Sequence, residues 1–84
     1  MDIFVKGLTF PVTLESLEND LVDGVIKLIP SPTSFYQIFK TESDGIVFEH
    51  YVTLDLHSFH FRLSISLSDA YNLIIGVIEN RLML

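Results

Sequence analysis

The sequence predicts a single α+β domain, and three observations carry that prediction. Phe59, Phe61, Leu63, Ile65 and Leu67 alternate strictly with His60, Arg62, Ser64 and Ser66, the period of a strand with one apolar face. Two other stretches repeat at helical spacing: Leu21, Val22, Val25, Leu28, Ile29, and then Leu73, Ile74, Val77, Ile78, Leu82. The chain has 84 residues, too few for two cores, and 49% of them are apolar, enough to build one.

Ile3-Phe4-Val5 reads as a short strand, because branched and aromatic residues suit a pleated surface. Lys6-Gly7 turns it, since glycine accepts a positive φ. Phe10 to Glu15 then reads as the returning strand, with Pro11 at an edge or bulge. Asn19 or Asp20 caps a helix that carries Leu21 to Ile29, and Pro30-Ser31-Pro32 stops it. Ser34 to Thr41 forms a further strand and Glu42-Ser43-Asp44-Gly45 a turn. By alternation alone, Ile46 to Leu54 is another strand, followed by Phe59 to Leu67. Ser68 and Asp69 open the last helix, the first as N-cap and the second as an early acid that complements the dipole. The predicted order is β-β-α-β-(strand or loop)-β-α.

Composition narrows the function classes. Five Lys and Arg against eleven Asp and Glu give a net charge of −6, which argues against a nucleic-acid binder. No cysteine is present, so a disulfide framework, a thiolate nucleophile and a Cys-based metal site are excluded. His50, His57 and His60 do not make a metal site, because a regular strand sends His57 and His60 to opposite sides. The carboxylates are scattered, no nucleophile elbow surrounds Ser58, Ser64, Ser66 or Ser68, and the four glycines form no phosphate loop. The expectation is a non-enzyme with no cofactor, metal, nucleic-acid partner or small-molecule substrate. Met1-Asp2 leads straight into a strand pattern without a signal segment, which predicts a cytoplasmic location. The longest apolar run, Leu73 to Val77, is too short to span a bilayer.

Ile3-Phe4-Val5-Lys6, Leu8-Thr9 and Thr13-Leu14-Glu15 match the opening of ubiquitin with one residue missing in the hairpin, and Asp20, Val25, Ile29, Asp44-Gly45, Tyr51 and His60 continue the match. Over residues 1–65 the chain therefore resembles the ubiquitin-like family. The resemblance implies a β-grasp domain over residues 1–66, in which the first and last strands lie parallel in the middle of the sheet. Residues 67–84 then form an added helix. It also implies that Ile46 to Leu54 is mostly a loop with a short helical turn, held by Tyr51.

Leu8 and His60 match the family's usual binding face, and Ile38 does if the third strand is registered by its Ile-Phe pair. With Tyr36 beside them and Arg62 where the family has a small apolar residue, these five make the candidate protein-binding face. A one-residue slip of the third strand turns Ile38 inward and puts Gln37 on the surface. The diglycine tail is absent, and Gly76 stands alone in apolar sequence, so the chain as written is not conjugated by the usual route. Lys6 matches a linkage lysine. The terminal helix, unstable alone in water, must pack on the open sheet face over Leu8, Tyr36 and Ile38, pair with a second copy or enter a partner's groove. The apolar stripe of Leu73, Ile74, Val77, Ile78 and Leu82 favours dimerising or docking on a protein partner, because His60, Arg62 and Ser64 make the sheet face an indifferent site for it. The leading expectation is noncovalent protein binding through the sheet face and this helix. The alternatives are a modifier that is processed at its C-terminus before conjugation, and an acidic inhibitor that blocks a basic surface.

Overall fold

Thr13 decides where the first helix begins. Its hydroxyl accepts from the Ser16 amide at 3.0 Å, and the Ser16 hydroxyl accepts from the Thr13 amide at 2.9 Å, a reciprocal capping box. Helix α1 runs Leu14–Asp23, with Leu17 and Leu21 fully turned into the core. The strand expected over Phe10 to Glu15 is therefore a loop and the first turn of a helix. The helix expected across Leu21 to Ile29 ends early as well. Gly24 caps it, donating its amide to the Asp20 carbonyl at 3.1 Å, and strand β2 follows at Ile26–Ser31. The apolar residues here fit both periods. Leu14, Leu17 and Leu21 supply the helical stripe one element earlier, which frees Ile26 and Leu28 to alternate inward against Lys27.

The computed structural model describes residues 3–80. Strand β1 (Phe4–Lys6) precedes α1, and β3 (Ser34–Lys40), β4 (Ile46–Leu54), β5 (His57–Ile65) and α2 (Leu67–Ile78) follow β2. The five strands form one sheet in the order β1-β2-β3-β4-β5, antiparallel at every step. The first and last strands are thus the two edges, not parallel neighbours at the centre as the resemblance implies. Over the described residues the chain builds an α+β fold with a five-stranded antiparallel sheet and two helices.

Three local devices fix this order. Gly7 adopts φ 76°, and a Cβ there would lie 2.5 Å from the Val25 carbonyl oxygen, so only glycine fits the close approach of β1's end to β2. The loop beyond it is tied to α1 by Asp20, whose carboxylate accepts from the Thr9 amide at 2.7 Å and the Thr9 hydroxyl at 2.8 Å. Pro30 sits in β2 where the register against β3 shifts between Leu28 and Ser31, an irregularity that accommodates a residue without an amide proton.

The turn expected at 42–45 is present, with the Thr41 amide donating to the Gly45 carbonyl at 2.8 Å. Residues Ile46–Leu54 form a full nine-residue strand, as their own alternation predicts and against the loop the resemblance implies. The cap of the last helix lies two residues before the expected one. Ser66, not Ser68, accepts from the Asp69 amide at 3.1 Å, which places Asp69 within the first turn where the helix dipole favours a carboxylate.

Both helices lie on one face of the sheet. Leu17 and Leu21 from α1 and Ala70, Ile74 and Val77 from α2 pack against Ile26, Leu28, Tyr36, Ile38, Ile46 and Phe48. The stripe expected to reach for a partner is therefore spent inside the domain: Ile74 and Val77 are buried, while Leu73 and Ile78 are partly buried against the same core. Leu82 lies outside the described residues. An apolar helix needs a surface to cover, and this one finds it on its own sheet.

Candidate functional site

The helices leave one end of their own sheet face open. By register, Ile46, Phe48, His50, Val52 and Leu54 of β4 stand opposite Ile65, Leu63, Phe61, Phe59 and His57 of β5, all on the helix side. Helix α1 packs on β3 and α2 on β2 and β4, so cover thins toward the β5 edge. Phe48 is 3% exposed, whereas Phe59, Phe61 and Leu63 beside it are 48%, 57% and 58% exposed. The alternation read in β5 is real, but its apolar face forms an open shelf instead of a core layer. Together with Val52 and Leu54 the shelf borders a groove of about 810 Å³, whose far rim carries Ser31, Thr33 and Ser34.

His50 stands at the inner wall of this groove. Its ring stacks on Tyr36 at 4.2 Å and lies 6.1 Å from Phe61, completing a row of three rings across β3, β4 and β5. The side chain is buried, and its Nε2 has no hydrogen-bond partner among the described residues. Burial lowers the pKa of His50, keeping the imidazole neutral, and raises that of the Tyr36 phenol.

The opposite, helix-free face is organised around one carboxylate. A single row crosses all five strands: Lys6, Lys27, Gln37, Glu49 and Arg62. Glu49, between Gln37 and Arg62 in this row, is 4% exposed. Its carboxylate accepts from Gln37 Nε2 at 2.6 Å and from the Tyr51 hydroxyl at 3.2 Å, bonds His60 Nε2 at 2.7 Å, and has Arg62 Nη1 at 3.9 Å. The Gln37 hydrogen bond, supported by those from His60 and Tyr51 and by the electrostatic pull of the His60 ring, lowers the Glu49 pKa despite burial. Burial and the Glu49 charge raise the Tyr51 pKa. The next row stacks Phe35 on Tyr51 at 4.6 Å and Tyr51 on His60 at 4.3 Å, with Lys27 Nζ 4.6 Å from the Phe35 ring centre. These rings roof the carboxylate, which is how a charge becomes buried on a face without helices.

The residues expected to form one binding face separate here. Tyr36 and Ile38 point into the core, 4% and 0% exposed, and Leu8 packs partly buried at the core's margin. The one-residue alternative for the third strand is the one adopted: Ile38 turns inward and Gln37 outward, because Ile38 lies opposite the inward Ile26 and Phe48. His60 and Arg62 do share the outer face, beside Glu49. Sequence reasoning singled out neither Glu49 nor the open end of the shelf. The even positions of Ile46–Leu54 carried that signal, since they supply an inward row matching Phe59, Phe61 and Leu63.

Among the described residues, no three His, Asp or Glu side chains gather as metal ligands, and no helix is long and apolar enough to cross a membrane. The arrangement offers apolar burial, ring stacking and strand-edge hydrogen bonding. No family model, curated protein or solved structure matches the chain.

Proposed function

We propose that this chain is a non-enzymatic domain that binds protein noncovalently, with the shelf of Phe59, Phe61 and Leu63 as its contact surface. One observation carries the reading. Three large apolar side chains on consecutive inward positions of an edge strand stay about half exposed, although Phe48 and His50, directly opposite Leu63 and Phe61 on the neighbouring strand, are buried. Contiguous apolar surface of this kind marks interaction sites, since exposed rings contribute little to a monomer's stability and much to an interface. The likeness of Ile3–Lys6 and Thr13–Glu15 to ubiquitin supports noncovalent binding only at the level of sequence. The antiparallel strand order lends no support to a β-grasp or to conjugation.

The test replaces Phe59 and Phe61 together by serine. Because each ring already leaves about half of its surface exposed, the double variant is expected to lose roughly 1–2 kcal/mol per ring and to stay folded. A photo-crosslinking phenylalanine analogue at position 61 yields a discrete protein adduct in the producing cell, and the same analogue at Thr53, on the other face, does not. A collapse in stability on the scale of a core truncation, about 3–5 kcal/mol per ring, makes these residues core and overturns the reading. So does the absence of any adduct from position 61.

A further inference from the structure

We infer that the occupant of the shelf is a second copy of this chain, joined edge to edge through β5 in a two-fold pair that extends the sheet to ten strands. The inference rests on the proposed contact surface and adds its partner and register.

Among the described residues, strand β5 is a sheet edge paired with β4 alone, and it is nine residues long. The other edge, β1, has three residues. Natural edges are usually blunted by shortness, proline, lysine or bulges, because an open ladder of amides and carbonyls recruits another strand. The first device protects β1. His57–Ile65 contains no proline, glycine or lysine and pairs with β4 without a register shift. Its one permanently charged side chain, Arg62, lies on the outer face 3.9 Å from the Glu49 carboxylate, so the helix side of this long edge is apolar and carries neither proline nor bulge.

Charge separates a second copy from other occupants. The chain carries a net charge of −6, yet β5 contains no carboxylate at all. Two copies meeting along β5 thus avoid the acid-to-acid contact that most of the surface would impose. Self-complementarity then selects a register. An isologous antiparallel pair must centre on one residue, and three centres keep Phe59, Phe61 and Leu63 of both copies together. Centring on Arg62 opposes two guanidinium groups, and centring on His60 opposes two imidazoles. Centring on Phe61 sets Phe61 against Phe61 and Phe59 against Leu63 twice, while each Arg62 faces a His60 that is already bonded to Glu49 at 2.7 Å. That register is the one we assign.

Area is consistent with the pairing. An aromatic side chain offers about 150–250 Å² to burial, so Phe59 and Phe61 at about half exposure contribute on the order of 200 Å² per copy. With Leu63, Leu54 and a backbone edge about 30 Å long, the sum over two copies approaches the roughly 1,000 Å² that a specific interface requires.

The absence of native cysteine makes the register directly testable. Directly opposed residues in an antiparallel pair have Cα atoms about 4.5–5.5 Å apart, within disulfide range. Position 63 lies opposite 59 of the second copy, so two residues 63 are about 13 Å apart along the strand. Under mild oxidation, Phe61→Cys is expected to give a covalent dimer and Leu63→Cys to stay monomeric. The unmodified protein is expected to double its mass from 9.6 kDa with rising concentration in sedimentation equilibrium. Phe61→Asp is expected to weaken that association about 30-fold or more.

A single-chain mass up to millimolar concentration, or a crosslink at position 63 in place of 61, overturns the inference. In that case, a photo-adduct from position 61 to a different protein leaves the contact-surface reading intact. Absence of both dimer and adduct removes both.

Discussion

Replacing Glu49 by glutamine removes one charge from the outer face and keeps the side chain's shape. Gln37 on β3, Tyr51 on β4 itself and His60 and Arg62 on β5 all face this carboxylate, and the bonds to Gln37 and His60 are short, 2.6 and 2.7 Å. A hydrogen bond to a charged acceptor contributes about 1.5–3 kcal/mol and a neutral one about 0.5–1.5 kcal/mol, so neutralising both loses about 2 kcal/mol. Relief of carboxylate desolvation returns part of this, leaving a net loss of about 1–2 kcal/mol at neutral pH. For a domain of this size, that is a fall in Tm of about 5–15 °C.

The pH dependence gives the sharper test of Glu49. The folded pKa of Glu49 lies below its ordinary value of 4.5, because the folded state favours the ionised form. Its contribution is complete above that value and is lost as the pH falls through the folded pKa. The gap between the parent and Glu49→Gln should therefore be full at neutral pH and close in acid. Thermal unfolding followed by circular dichroism from pH 7 down to pH 3 measures it. A glutamine variant as stable as the parent at pH 7, or a gap unchanged in acid, would refute the account of Glu49 as an ionised hub.

Two further substitutions test the other face and the β1 turn. His50→Phe removes the buried nitrogen that has no hydrogen-bond partner among the described residues and keeps the ring between Tyr36 and Phe61. It should raise stability by about 1–2 kcal/mol in urea titration, and it should flatten the stability loss below pH 6.5, where the unfolded imidazole takes up a proton that the folded one resists; a loss of stability at neutral pH contradicts this. Gly7→Ala should cost at least about 1–3 kcal/mol in the same titration, because the new methyl group meets the Val25 carbonyl and the backbone is left-handed there; an unchanged midpoint shows that β1 does not hold this turn.

What could be read from the sequence depended on whether a residue pattern fitted one period or two. The α+β class, the final helix and the strands read over Ser34 to Thr41 and Phe59 to Leu67 are present, although the second strand runs His57–Ile65 and Leu67 already belongs to the helix. Leu21 to Ile29 fitted both a helix and a helix end followed by a strand. Only the capping box between Thr13 and Ser16 distinguishes them, and a Thr-x-x-Ser pair is a weaker signal than one closed by glutamate. The loop implied for Ile46 to Leu54 outweighed that segment's own alternation, and with it went β4 and the Glu49 hub. Burial of a glutamate depends on what surrounds it in three dimensions. Neither Gln37 nor His60 marks Glu49 until the register brings all three side by side.

The strand order also bears on how the chain folds. From β2 to β5 every strand pairs with its neighbour in sequence, so the ladders close through short loops with little loss of chain entropy. Such local wiring favours rapid zipping of hairpins. The lid on Tyr36, Ile38 and Phe48, however, includes Ala70, Ile74 and Val77, which emerge from the ribosome only after the whole sheet. During synthesis a twisted ribbon with one greasy side precedes its cover, a window in which chaperone capture or mispairing competes with docking of α2. Each new molecule is most vulnerable just before its last helix arrives.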